Sequence, residues 1–173
     1  VTPLPLSVAS AWRGAGWADF DRDGDLDLYT VRLGGTDVLL RNDGASWTDF
    51  SATLGSALAS SDGLAVTWAD YDVDGDPDVY VTRQGRAATL LRNRAAAPGN
   101  WIRILPVGAH ANRTGTGMRV RIVVGGVSHS RTISGGSGSL SQNEPVAQFG
   151  LGAATVVDSV IIHWPLSSSS AFG

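Results

Sequence analysis

A twelve-residue block that occurs twice, 51 positions apart, constrains this 173-residue chain more than any other feature. Gly16-Trp17-Ala18-Asp19-Phe20-Asp21-Arg22-Asp23-Gly24-Asp25-Leu26-Asp27 returns as Thr67-Trp68-Ala69-Asp70-Tyr71-Asp72-Val73-Asp74-Gly75-Asp76-Pro77-Asp78. At the same offset Leu39-Leu40-Arg41-Asn42 returns as Leu90-Leu91-Arg92-Asn93, and Tyr29 returns as Tyr80. Two separate blocks in one register mark a duplication, so the fold must contain two similar units.

Within each unit the period is that of strands. Leu26, Leu28 and Thr30 alternate with Asp27, Tyr29 and Val31, and Val79-Tyr80-Val81-Thr82 is a β-branched and aromatic run. Asp37 to Asn42 and Ala88 to Asn93 read as further strands ending in polar turns, and Trp47 to Phe50 as another. Several short strands in a unit of roughly 50 residues are the pattern of a propeller blade. Trp17 and Trp68 repeat with the blade, which predicts that both are core. No stretch carries a helical period with caps.

Ala95-Ala96-Ala97-Pro98-Gly99-Asn100 interrupts the repeat as a linker or turn. Beyond it only Glu144 and Asp158 are acidic, and Trp101–Leu105, Met118–Val124, Val127–Ile133 and Val156–Trp164 are strand candidates between Gly and Ser turns. The predicted class is all-β: two blade-like, calcium-binding repeats followed by a small β-sandwich-like domain. The expected division is an extended N-terminal segment (1–9), two repeats (10–97), a second β domain (98–166) and a Ser-rich tail (167–173).

Asp19, Asp21, Asp23, Asp25 and Asp27, and again Asp70, Asp72, Asp74, Asp76 and Asp78, hold ten of the 16 acidic residues. Five carboxylates in nine residues repel one another unless a cation neutralises them. Ca²⁺ accepts six to eight oxygens in a flexible geometry, whereas Mg²⁺ demands a rigid octahedron. Positions one, three and five of D-x-D-x-D-G-x-x-D converge only across a sharp turn, and Gly24 and Gly75 supply its freedom. The backbone carbonyls of Asp25 and Asp76, at position seven, are the natural fifth ligands. An EF-hand would place Glu at position twelve, where Thr30 and Val81 stand, so Asp27 and Asp78 are expected to complete the shell. The bland alternative, a solvated acidic turn, explains one copy better than two at a fixed offset. Two calcium sites are expected, and loss of the ions is expected to loosen the first half more than the second.

Other chemistries find less support. The chain has no Cys, which removes thiolate metal sites and cysteine nucleophiles. His110, His129 and His163 lie in separate segments without zinc-ligand spacing. Gly135-Gly136-Ser137-Gly138-Ser139 is not a G-x-S-x-G elbow, and Gly150-Leu151-Gly152 lacks the third Gly of a dinucleotide loop. The 13 basic residues are all Arg, scattered in a chain of net charge −3, which argues against nucleic acid. No apolar run approaches the ~18 residues of a membrane-spanning helix. No catalytic residue is predicted. Asn112-Arg113-Thr114 is a glycosylation sequon, with Asn112 as its acceptor.

The duplicated segments resemble FG-GAP/VCBS repeats, the blades of calcium-binding propellers, over roughly residues 10–97. The second half resembles the ASPIC/UnbV domain through Asn100-Trp101, the run Asn112 to Val120, Gly135 to Asn143, Phe149-Gly150-Leu151-Gly152 and Val157-Asp158-Ser159-Val160 with Trp164-Pro165. The combination is that of the cartilage acidic protein family. It implies an extracellular, calcium-dependent module without established catalysis.

Closed propellers need about four to eight blades, and this chain encodes two. Open sheet edges and apolar faces must then be covered by more chain or by other copies. The apolar, proline-extended segment Val1-Thr2-Pro3-Leu4-Pro5-Leu6-Ser7-Val8 suits a strap along a neighbour's edge. Homo-oligomerisation through heterologous contacts is expected, with an extracellular filament as its specific form. The alternatives are a piece of a longer propeller protein, which the Val1 start also fits, and a secreted carbohydrate-binding module or enzyme using the Trp-rich surface. An extracellular protein or glycan ligand is an expected class of partner.

Overall fold

The computed structural model describes residues 3–6, 11–58, 62–94, 99–108 and 112–165. Residues 95–98 of the linker, His110, the Ser-rich tail and all of the N-terminal segment except 3–6 lie outside the described residues. Pro3 to Pro5 are exposed.

The fold is all-β, with two blade-like sheets followed by a two-sheet sandwich. In the first sheet β1 (Trp12–Ala18), β2 (Asp27–Arg32), β3 (Val38–Asn42) and β4 (Trp47–Asp49) form an antiparallel meander. A 3-10 helix, Ser51–Leu58, follows where the strand pattern gave no sign of one. The second sheet repeats the first three strands as β5 (Gly63–Ala69), β6 (Asp78–Arg83) and β7 (Thr89–Leu91). Its β7 has no outer neighbour among the described residues. Instead Asn100 opens β8 (Asn100–Ile104), which pairs with β11 (Ala147–Gly152). The remaining sheet has the order β10 (Val127–Thr132), β9 (Arg119–Val124), β12 (Ser159–His163).

The two blades touch through their first strands. A Cβ on Gly14 would stand 3.2 Å from the Ala65 Cα, and one on Gly16 would stand 2.9 Å from the Trp68 indole. Small residues are therefore what let β1 and β5 approach. Tyr29, Val31, Leu39, Val66, Trp68, Val79 and Val81 form one shared core, with Tyr29 and Trp68 edge to face at 6.2 Å. Beneath it a buried ion pair joins the blades: Arg83 Nη2 donates to Asp37 Oδ2 at 3.1 Å, and the Tyr29 hydroxyl donates to the same oxygen at 3.1 Å. A second core of Met118, Val120, Ile122, Ile133, Ala147 and Phe149 fills the sandwich. No helix among the described residues is long and apolar enough to cross a membrane.

One expectation needs correction. Trp68 is 4% exposed, but its repeat partner Trp17 is 44% exposed. Trp68 is covered by β1 of the other blade, whereas Trp17 meets only the edge of Trp47, at 6.3 Å between centroids. The period-2 pattern over Leu26–Val31 falls on β2 from Asp27 onward. All of Asp27 to Val31 is buried, because β2 lies between β1 and β3 and is packed on both faces.

Candidate metal centres

Each Asp loop is the connection between the first two strands of its blade, closed by the pairs Ala18↔Asp27 and Ala69↔Asp78. The turn uses two left-handed residues at matching positions: Arg22 (φ 63°) with Gly24 (φ 101°), and Val73 (φ 60°) with Gly75 (φ 92°). A β-branched valine in that region is strained, and such strain persists where the surroundings over-determine the backbone. The result is convergence. Asp19, Asp21 and Asp23 each bring one carboxylate oxygen within 4.8 Å of the others, as do Asp70, Asp72 and Asp78.

The other predicted ligands are placed differently. Asp27 stands outside the first cluster, and both its oxygens accept backbone amides, Phe20 N–H at 2.9 Å and Asn42 N–H at 2.8 Å. Asp78 is held in the same way by Tyr71 N–H at 3.0 Å and Asn93 N–H at 2.8 Å, yet remains within its cluster. The ninth-position Asp is thus first a clamp between the loop and the third strand. Asp25 points away toward Gly44, and Asp76 pairs its side chain with Arg22 Nε of the other loop at 3.0 Å. Asp74 accepts the Asp76 amide at 3.0 Å and lies 3.3 Å from Arg92.

Sequence reasoning noticed the Leu-Leu-Arg-Asn block only as a marker of duplication. Its Asn supplies the clamping amide, and its Arg braces the third-position carboxylate. Arg92 lies 2.5 Å from Asp72, and Arg41 lies 3.8 Å from Asp21 and 2.7 Å from Asp43. Recurrence at the same offset as the loops was the available signal.

Burial leaves these carboxylates poorly compensated. It raises the Asp19 carboxyl above its usual range, against the Gly150 amide and Arg131. Burial and then the Asp23 charge push Asp21 up to about 6. Burial drives Asp27 to about 8 against the Asn42 and Phe20 amides. It also raises Asp76 and Asp78, whereas the Asp76 amide holds the exposed Asp74 low. Asp19 Oδ1, Asp21 Oδ1 and Asp72 Oδ1 are buried with no hydrogen-bond donor. Buried carboxylate oxygens that converge without donors fit a cation, and an all-oxygen set fits a hard one. The two clusters could bind metal ions.

Of the histidines, His129 packs its ring against Gly24, and His163 is exposed on β12. Asn112 is exposed with φ 52°, and its Nδ2 donates to the Thr116 carbonyl. A cleft of about 500 Å³ lies between the blades and the sandwich, lined by Trp17, Asp19, Trp68, Arg131, Glu144 and Gln148. Its acidic residues are paired, Asp19 with Arg131 and Glu144 with Arg103.

Blade-like sheets joined to a β-sandwich, with paired Asp loops, define a repeat protein, and comparison with known families agrees. Residues 19–81 match the FG-GAP-like repeat, and residues 108–172 match ASPIC and UnbV. The chain is homologous to cartilage acidic protein 1. It is 29% identical to the Mus musculus protein over 180 residues, covering 95% of this chain. Against the Homo sapiens and Xenopus tropicalis proteins the identities are 29% and 30%, over 92% and 94% of this chain. The chain spans 26% of the length of each of these relatives.

Proposed function

We propose that this chain is an extracellular, calcium-stabilised structural or adhesive module, with one Ca²⁺ in each Asp loop. The observation that carries the reading is the twofold recurrence of three convergent carboxylates, with donor-free buried oxygens on Asp19, Asp21 and Asp72, in loops clamped in the same way by the ninth-position Asp. Asp19, Asp21 and Asp23 would hold one ion, and Asp70, Asp72 and Asp78 the other, with the Asp25 and Asp76 carbonyls available beside them. Bound calcium supplies charge neutralisation and a fixed loop geometry. Cartilage is an extracellular matrix tissue, so the name of the relatives supports the location. Extracellular modules bind calcium at roughly 10⁻⁴ to 10⁻³ M, and a tenfold excess over Kd stabilises by about 1.4 kcal/mol per ion. Calorimetric titration of chelator-treated protein is expected to show two sites per chain, one lost in Asp21→Asn and the other in Asp72→Asn. Absence of calcium heat would reject the reading.

Self-assembly belongs to the same proposal. The first sheet carries β4 on β3, while β7 ends the second sheet among the described residues, leaving an edge for a strand from another copy. An N-terminal strap contacting such an edge is heterologous and propagates into a filament unless it closes a ring. Deleting residues 1–8 should leave folded, unassembled chains. A stable monomer at high concentration with those residues intact would reject assembly. A glycan-binding role has one observation in its favour, the exposed Trp17 at the mouth of the cleft, and a glycan array tests it. Acid–base catalysis there is not part of the proposal, because Asp19 and Glu144 both face arginines.

A further inference from the structure

The two Asp loops are not equally self-sufficient. In the loop of residues 70–78, both oxygens of the first aspartate are held by the loop itself: Asp74 N–H donates to Asp70 Oδ1 at 3.0 Å and Gly75 N–H to Oδ2 at 3.0 Å. At this carboxylate the sandwich adds a cation, Arg103, 3.7 Å away; the sandwich's other contacts with the loop fall on Gly75, whose carbonyl accepts from Gln148 Nε2 at 2.7 Å and which packs against Trp101. In the loop of residues 19–27, Asp19 Oδ2 accepts the Gly150 N–H of β11 at 3.0 Å and faces Arg131 of β10 at 3.4 Å. Both groups come from the sandwich, more than 100 residues downstream. The Gly24 amide of its own loop is the remaining local support. With Oδ2 engaged, the carboxylate, 5% exposed, is left with Oδ1 buried and donor-free.

The surrounding contacts press the sandwich onto this loop. A Cβ on Gly150 would stand 2.3 Å from the Arg22 carbonyl oxygen, and one on Gly24 would stand 2.8 Å from the His129 ring. Arg131 also donates to the Gly24 carbonyl at 3.1 Å and lies over the Phe149 ring, 5.2 Å from its centroid. Phe149 belongs to the sandwich core. An unbroken set of contacts therefore runs from that core to the first carboxylate of the loop.

We infer that the sandwich is a structural part of the first metal centre: Gly150 and Arg131 orient Asp19, so cation binding at residues 19–27 and docking of the sandwich are one coupled equilibrium, while the centre at residues 70–78 is oriented by its own loop. The inference rests on the calcium reading. Coupling of this kind is reciprocal: if docking raises affinity at the first centre by some factor, the ion strengthens docking by the same factor. Arg131 and Gly150 are positioning residues, with no requirement that they touch the ion.

The test uses the full chain. Calcium calorimetry and peptide-resolved hydrogen exchange, with calcium and with EGTA, are run on the parent protein and on Arg131→Gln, Asp21→Asn and Asp72→Asn. Calcium is expected to slow exchange about tenfold in β10, whose Arg131 and His129 meet the first loop, and Asp21→Asn should abolish that protection while Asp72→Asn leaves it; β11 also bonds the second loop through Gln148 and responds to both. Arg131→Gln should weaken one of the two sites about tenfold and spare the other, within the usual range of coupling factors. Gly150→Ala tests the same point by forcing β11 off the loop. Arg131→Gln serves if that variant does not fold. Exchange in β10 that ignores calcium while the loops respond would overturn the inference and leave the calcium reading standing. Equal loss of protection in β10 in Asp21→Asn and Asp72→Asn would also overturn it. No calcium heat from the parent protein would overturn both.

Discussion

Gly75→Ala separates the cost of a strained backbone from the cost of breaking the seam between loop and sandwich. Gly75 has φ 92°, and a Cβ there would stand 2.0 Å from the Trp101 Nε1 at the start of β8. Gly85 has φ 67° in the same blade, with nothing within 4 Å of its Cβ position. A left-handed alanine costs about 1–2 kcal/mol by itself. Displacing a packed indole adds about 1–3 kcal/mol. Gly75→Ala should therefore cost about 2–5 kcal/mol and Gly85→Ala about 1–2 kcal/mol. Urea denaturation in millimolar calcium, with an m-value of about 2 kcal/mol/M, reads this as midpoint shifts of roughly 1–2.5 M and 0.5–1 M. In a Trp101→Ala background the two alanines should cost nearly the same, since only the strain remains. Equal costs in the parent chain, or an unchanged difference without Trp101, would refute the reasoning.

Two further outcomes follow from buried charge. Asp37→Ala removes the carboxylate that the Arg83 guanidinium and the Tyr29 hydroxyl share between the blades and should cost about 3–5 kcal/mol in urea unfolding, and a loss below 1 kcal/mol would contradict the buried pair. Without metal, Asp21 at about 6 and Asp27 at about 8 stand above the unfolded carboxylate value, so the folded chain binds more protons than the unfolded one from about pH 4 to pH 8. Stability in EDTA should then fall as pH rises through that window, and calcium should flatten the trend by taking the protons' place. A Tm in EDTA that climbs from pH 5 to pH 8 would contradict the assignment.

The alternation of Asp with one intervening residue, the Gly at position six and the 51-residue offset were enough to locate both loops and the strands around them. What stayed hidden was what depends on distant partners. Trp17 and Trp68 occupy equivalent positions, but only Trp68 is faced by Gly16 of the other blade. Asp27 looks like a ligand by spacing, and its backbone clamp to Asn42 depends on a strand pairing fifteen residues away. The left-handed Arg22 and Val73 carry side chains that do not advertise that conformation. The expectation that ion loss concerns mainly the first half counted carboxylates alone. It took no account of Arg103, Arg131 and the Gly150 amide, which come from the acid-poor second half and end on the loops. β11 is absent from the strand candidates, since Gly150 and Gly152 interrupt its apolar pattern; Gly150 permits the close approach to Arg22.

The most direct measurement is anomalous diffraction at long wavelength from crystals grown in millimolar calcium. Two calcium peaks per chain are predicted, one within about 2.3–2.6 Å of oxygens from Asp19, Asp21 and Asp23, the other equally close to oxygens from Asp70, Asp72 and Asp78. A well-phased map with both loops ordered and no peak at either would contradict the calcium reading.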